Sequence, residues 1–356
     1  MKGIPTWSPR SDRIATLEGS KLATAALAGG PERIVARAAS GFDLWWLRGD
    51  ALFFNTQFAG RDAIETQPEN GGARIILHTA TGFERDQLPV YTMVSWSPNG
   101  TRLAFARRVQ GGSVLRVAAA DGSGAHTVAR NPTGVPPAWS PAGKKLVYTT
   151  AHGLWLVGAR GGHARRLAPA GATDPEWSPD GQRIAYRFYG ELYVVKPDGR
   201  SRTAVASDVT DPPSWSPGGQ RIAFSTNSTG TVIETISADG RGNKTLISAP
   251  PGDDQTGALV FHPVWSPDGR QILYSEEHYV CGEDCSYVDL HLIHPDGSHA
   301  RKLPFVLGDA TWSPDGTLLI GQAGHVKAID LQTGKTRFDS GDTVVNAWSW
   351  QPLPRR

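Results

Sequence analysis

The tripeptide Trp-Ser-Pro occurs seven times in this chain of 356 residues, beginning at Trp7, Trp96, Trp139, Trp177, Trp215, Trp265 and Trp312. Two degenerate copies, around Trp46 and at Ser349-Trp350-Gln351-Pro352, extend the series. Successive marks stand 39, 50, 43, 38, 38, 50, 47 and 38 residues apart. A unit of about 40 residues cannot bury its apolar face alone and must stack on neighbours of its own kind. A chain patterned this way folds as a repeat array.

The copy from Asp174 to Ser207 shows what one unit holds. Pro175-Glu176-Trp177-Ser178-Pro179 reads as extended, because proline biases its predecessor away from helix. Asp180-Gly181 signals a two-residue hairpin turn, for which glycine supplies a positive φ at little cost. Arg183 to Phe188 alternates polar and apolar, as a half-buried strand does. Tyr189-Gly190 turns again, and Leu192-Tyr193-Val194-Val195 is rich in strand-forming residues. Asp198-Gly199 and Thr203-Ala204-Val205 give a third turn and a fourth strand. Four antiparallel strands per repeat predict a β-propeller blade, so the fold class is all-β. The tryptophans read as wedges between blades, in preference to a carbohydrate-stacking role.

The pattern Trp-Ser-Pro-Asp-Gly-x-x-Ile-Ala-Phe resembles the PD40 repeat of TolB-like propellers, also called WD40-like. Trp177 to Tyr186, Trp215 to Phe224 and Trp265 to Tyr274 carry the resemblance most closely. It implies a propeller fold and a family that includes a periplasmic protein of the Tol-Pal system and propellers attached to prolyl-oligopeptidase-like peptidases. It does not imply one activity.

Eight intervals predict eight blades in a single domain, 1–356, whose ring is closed by a C-terminal strand near 344–350 beside the strands of 13–38. Such a clasp would cover exposed strand edges. Seven blades is the alternative, because 40–95 matches the repeat poorly.

A formal net charge of +2 implies no strong electrostatic partner, and Arg107-Arg108 and Arg165-Arg166 read as pairs with no basic stripe. No nucleic-acid footprint is expected. No apolar run is long enough to cross a membrane as a helix. Met1-Lys2-Gly3-Ile4 lacks the apolar core of a signal peptide. Cys281 and Cys285, with three residues between them, suit a small disulfide loop and so an oxidising compartment, periplasmic or extracellular. Free thiols are the alternative, and zinc would need a second cysteine pair.

Propellers bind ligands where the inner strands begin. The residues three or four places before six of the marks are Asp43, Asp174, Asp211, His262, Asp309 and Asn346, while Thr92 and Pro136 stand there in two other repeats. If they converge on the channel mouth they would suit Ca²⁺ or a cationic peptide group. The competing reading makes each aspartate a local turn cap. Three long intervals suggest loop insertions near 57–72, at Asp253 and Asp254, and at Glu276, Glu277 and His278. His278 beside two glutamates is a candidate ligand set, but the metal is undetermined and no cofactor is predicted.

The chain contains no Gly-x-Ser-x-Gly, His-Glu-x-x-His or P-loop. No catalytic residue is therefore assigned. The first functional expectation is a monomeric, non-catalytic scaffold that holds a peptide or protein partner at the channel mouth and long loops. The alternatives are a secreted polysaccharide lyase or hydrolase with a site in the channel, and a structural module of a larger cell-surface protein.

Overall fold

The apolar runs between the glycine turns pair into sheets, and the turns stack at their ends. The computed structural model describes backbone pairing for the strands within 2–79, and backbone and side chains through most of 95–339. Among the described residues it contains eight four-stranded antiparallel sheets, each built from four consecutive strands. Sheets 1 to 8 cover 2–37, 39–79, 95–130, 138–168, 172–206, 214–248, 257–302 and 308–339. No helix occurs among the described residues. The first strand, Lys2–Trp7, pairs with Arg13–Glu18, and the expected closing segment near 344–350 lies outside the described residues. The region 57–72, read as a loop insertion, instead carries the strands Ala51–Phe58 and Arg61–Pro68 of sheet 2.

The Trp-Ser-Pro-Asp-Gly turn differs from the two-residue hairpin expected. In sheet 5 the Gly181 N–H donates to the Ser178 carbonyl and the Ser178 N–H to the Arg183 carbonyl, so four residues form the loop. Pro179 supplies the φ that the first corner of a type I turn prefers. Gly181 then adopts φ 69°, which a residue with Cβ resists. The Ser178 hydroxyl accepts from Arg183 N–H at 2.9 Å and donates to Asp180 at 2.5 Å, while Asp180 accepts from Gln182 N–H at 2.9 Å. The same Ser–Asp pair closes the turns at Ser266/Asp268 and Ser313/Asp315. The serine and aspartate of the motif are thus internal caps for buried backbone groups.

The second strands are not half-buried. Ile184, Ala185 and Tyr186 are all fully buried, as are Ile222, Ala223 and Phe224. Sheets 4 to 7 each pack against a neighbour on both faces, so alternation decides which neighbour a side chain meets. Ile184 and Tyr186 join Val147, Leu154 and Leu156 of sheet 4, whereas Ala185 joins Ile222 and Phe224 of sheet 6. One apolar cluster fills each interface from sheets 3/4 to sheets 7/8.

The tryptophans lie in these clusters, as expected of wedges. Trp139, Trp177, Trp215, Trp265 and Trp312 are all buried. Burial of each ring stabilises by roughly 2–3 kcal/mol. Four of these five indoles also reach one sheet back. Trp139 Nε1 donates to the Ser95 carbonyl at 2.9 Å, Trp177 to Ala138 at 3.1 Å, Trp215 to Glu176 at 3.3 Å, and Trp312 to Val264 at 3.2 Å. Every acceptor is the residue before the preceding tryptophan, so the bonds register one sheet on the next. Trp265 breaks the series: its Nε1 is buried without a partner, and its backbone N–H instead donates to Ser214 Oγ at 3.2 Å.

Candidate functional site at the start of the inner strands

The first strand of sheet 5, Ala172–Trp177, leaves its register between Thr173 and Glu176, and that of sheet 7, Gly257–Trp265, between Phe261 and Val264. A bulge re-aims side chains out of the ladder. Asp174 and His262 sit in these bulges with φ of 49° and 51°. Left-handed backbone at residues other than glycine stores strain, and such strain concentrates at functional positions.

Asp174 meets Arg187 of its own sheet, whereas His262 meets Asp211, which lies just before sheet 6. Arg187, on Ile184–Phe188, donates from Nε to Asp174 Oδ2 at 2.8 Å, and Thr173 Oγ1 donates to the same oxygen at 2.9 Å. The Arg187 guanidinium also donates to the carbonyls of Val209 and Thr210, just before sheet 6. Asp211 Oδ2 accepts from Ser225 Oγ and, at 3.0 Å, from the His262 backbone N–H. His262 Nε2 stands 3.3 Å from Asp211 Oδ1. Burial works to raise the Asp211 pKa, but the bonds from His262 and Ser225 outweigh it and hold the carboxyl at about 2. A polar relay thus runs Asp174–Arg187–Thr210–Asp211–His262 across sheets 5, 6 and 7.

The structure brings Asp211 and His262 into contact and joins Asp174 to them through Arg187. Asp211 is therefore more than a local cap, since its partner His262 belongs to another sheet. Asp43 lies on Ala39–Leu47 and Asp309 on Gly308–Trp312, where only their backbone is described. Asn346, Asp253, Asp254, Cys281 and Cys285 lie outside the described residues. A Ca²⁺ bound by Asp174 and Asp211 would have to displace Arg187 and His262. Among the described residues no group of three His, Cys, Asp or Glu is arranged to hold a metal ion.

Glu276, Glu277 and His278, expected on a loop, belong to the strand Ile272–Tyr279, which pairs with Ser286–Ile293 in a long hairpin. The period of two puts Tyr274, Glu276 and His278 on one face. Across from them stand His291, Asp289 and Tyr287. His278 Nε2 lies 3.3 Å from Asp289 Oδ2 and 3.8 Å from Glu276 Oε1. His291 Nε2 lies 3.0 Å from Glu276 Oε2 without hydrogen-bond alignment. Lys302 Nζ donates to Asp289 at 2.6 Å. Burial lowers the His291 pKa against the pull of both carboxylates.

Residues 69–258 match PD40, the TolB beta propeller domain, over more than half of the chain. The chain belongs to the PD40 TolB β-propeller family. No curated protein matches it. Among solved structures, this PD40 propeller is similar to dipeptidyl peptidase 4 of Porphyromonas gingivalis, with 12% identity, a TM-score of 0.66, and coverage of 95% of this chain and 59% of that one. It is similar to an oligogalacturonate lyase in complex with manganese, with 14% identity, a TM-score of 0.54, and coverage of 82% and 85%. With TolB from Acinetobacter baumannii it shares 20% identity and a TM-score of 0.41 over 65% of this chain and 63% of that one. The chain therefore spans less than two thirds of the peptidase and of that TolB. At these identities the likeness is one of fold.

Arg187, Ser225, His291 and Lys302 were not among the candidates read from the sequence. Arg187 could have been found: it follows the fully buried Tyr186, where the same position of sheets 6 and 7 holds Ser225 and Ser275. His291 and Lys302 carried no motif, and only strand pairing joins them to Glu276 and Asp289.

Proposed function

We propose that this propeller is a non-catalytic binding scaffold that holds a peptide or protein partner at the end of the ring where the inner strands begin. The observation that carries the reading is the Asp174–Arg187–Asp211–His262 relay, which fixes two strained backbone positions on one surface. Beside it, the hairpin at Tyr189-Gly190 bonds to Val209, two residues before Asp211, and Tyr189 is 81% exposed. Tyrosine and arginine around a rigid polar centre suit a protein contact. Eight blades, ring closure through 344–350, a monomeric state, a periplasmic or extracellular location and a Cys281–Cys285 disulfide complete the proposal.

The test uses chromatography with light scattering on the propeller and the partner it retains from a periplasmic or secreted fraction. Wild type is expected to form a stoichiometric complex that His262→Ala and the exposed Tyr189→Ala both weaken, the latter without lowering the Tm. Equal complexes in all three proteins would place the contact elsewhere. In parallel, a rise in Tm on adding Ca²⁺ that Asp174→Asn abolishes would establish a channel cation.

A second reading, an enzyme, is favoured by one observation. Glu276, His278, Asp289 and His291 join two imidazoles and two carboxylates on one face of sheet 7, a set able to donate and accept protons. Turnover of an acidic polysaccharide that is lost in His278→Gln would move the site there.

A further inference from the structure

At the opposite ends of the sheets, between sheets 4 and 5, lies a cleft of about 270 Å³ lined by Lys145, Leu156, His163, Arg165, Pro197 and Asp198, among others. We propose that this cleft binds a phosphate-bearing anion. In sheets 5, 6 and 7 the turn between the third and fourth strands carries Asp198, Asp239 or Asp296, each accepting the backbone N–H two residues on. The equivalent turn of sheet 4, closed by Gly161 N–H to the Gly158 carbonyl, has Arg160 in that place. In the Trp-Ser-Pro turns the same holds: Asp180, Asp268 and Asp315 cap sheets 5, 7 and 8, while sheet 4 has Ala142. Sheet 4 thus lacks both of the acids that the repeat supplies for its turns.

The result is a local charge that composition conceals. The turns 141–145, 158–165, 179–183 and 196–202 hold eight Lys and Arg against two Asp, in a chain whose formal net charge is +2. The rest of the chain is therefore net negative. Both acids are occupied, Asp180 by Ser178 and Gln182, Asp198 by the Arg200 N–H. Arg165 is held by a bond from Nη1 to the Asp198 carbonyl at 2.7 Å, which leaves most of its guanidinium donors free for a ligand. Lys145 and His163 line the cleft beside it. A planar fork and a point charge set around a small cleft suit phosphate oxygens. The cleft has room for a phosphate ester or headgroup.

The experiment titrates the full chain with inorganic phosphate at constant ionic strength set by chloride, following Tm and calorimetric heat. Phosphate is expected to bind, with affinity about tenfold weaker in Arg165→Gln or Lys145→Gln. The exposed Arg270→Gln is the control for general charge and is expected to bind as wild type does. Absence of a phosphate effect beyond chloride, or equal weakening in Arg270→Gln, overturns the proposal. Vesicles of phosphatidylcholine with and without phosphatidic acid distinguish the source. Cosedimentation with the acidic vesicles alone, lost in Arg165→Gln, identifies a lipid headgroup, and phosphate binding without cosedimentation identifies a soluble ester.

Discussion

Two carboxylates with opposite pKa shifts show how position in a repeat sets the chemistry of one residue type. Asp211 is held at about 2, below the 3.8 usual for aspartate, because the bonds it accepts favour the ionised form over the cost of burial. Its stabilisation is therefore complete above pH 4 and is lost as pH falls towards 2. We expect Asp211→Asn to cost about 2 kcal/mol at neutral pH, with the gap to wild type closing near pH 2 in urea melts. Glu176 keeps partial solvent contact, yet protein atoms crowd it so closely that burial pushes its pKa up to about 8. Here the folded state holds the extra proton, so stability falls as pH rises from 4.5 to 8. Glu176→Gln is expected to flatten the pH dependence of Tm over that window. An unchanged slope would show the carboxyl to be solvated.

At the scale of the element, the Trp-Ser-Pro-Asp-Gly segment does three separate things. Its tryptophan fills the wedge and donates to the previous sheet, its serine and aspartate cap the turn, and its glycine takes the positive φ. The broken bond at Trp265 allows a direct comparison. Trp177→Phe removes both ring area and the donor to Ala138, whereas Trp265→Phe removes ring area and a buried donor without a partner. Trp177→Phe is expected to be more destabilising by about 1 kcal/mol. Equal losses, measured from denaturant midpoints at constant m, would mean the indole bonds add nothing to packing.

At the scale of the whole molecule, the core of sheets 3 to 8 is divided into separate clusters at the sheet interfaces. Leu192 and Ile222 share the cluster between sheets 5 and 6, while Leu273 lies in that between sheets 7 and 8. Truncation of each to alanine is expected to cost about 2–5 kcal/mol. In double-mutant cycles Leu192→Ala should couple with Ile222→Ala and add with Leu273→Ala. Additivity within the shared cluster would contradict the wedge arrangement. The same division explains the functional surfaces: loops at each end of a sheet can change without disturbing the clusters between them.

Much of this was legible in the residues. The Trp-Ser-Pro period, the glycine turns and the apolar strands determined an all-β propeller, because each is a local signal repeated many times. Asp174, Asp211 and His262 were also visible, since they stand three or four places before the marks. What only the tertiary structure decided is who meets whom. Strand pairing turned a presumed loop at Glu276–His278 into a hairpin face shared with Asp289 and His291. Packing of sheet on sheet carried Arg187 to Thr210 and Asp211 to His262. It also set Lys145 and Arg165 of sheet 4 against Pro197 and Asp198 of sheet 5 in one cleft. Local propensity cannot encode such contacts, because they join residues tens of positions apart through the stacking of complete repeats.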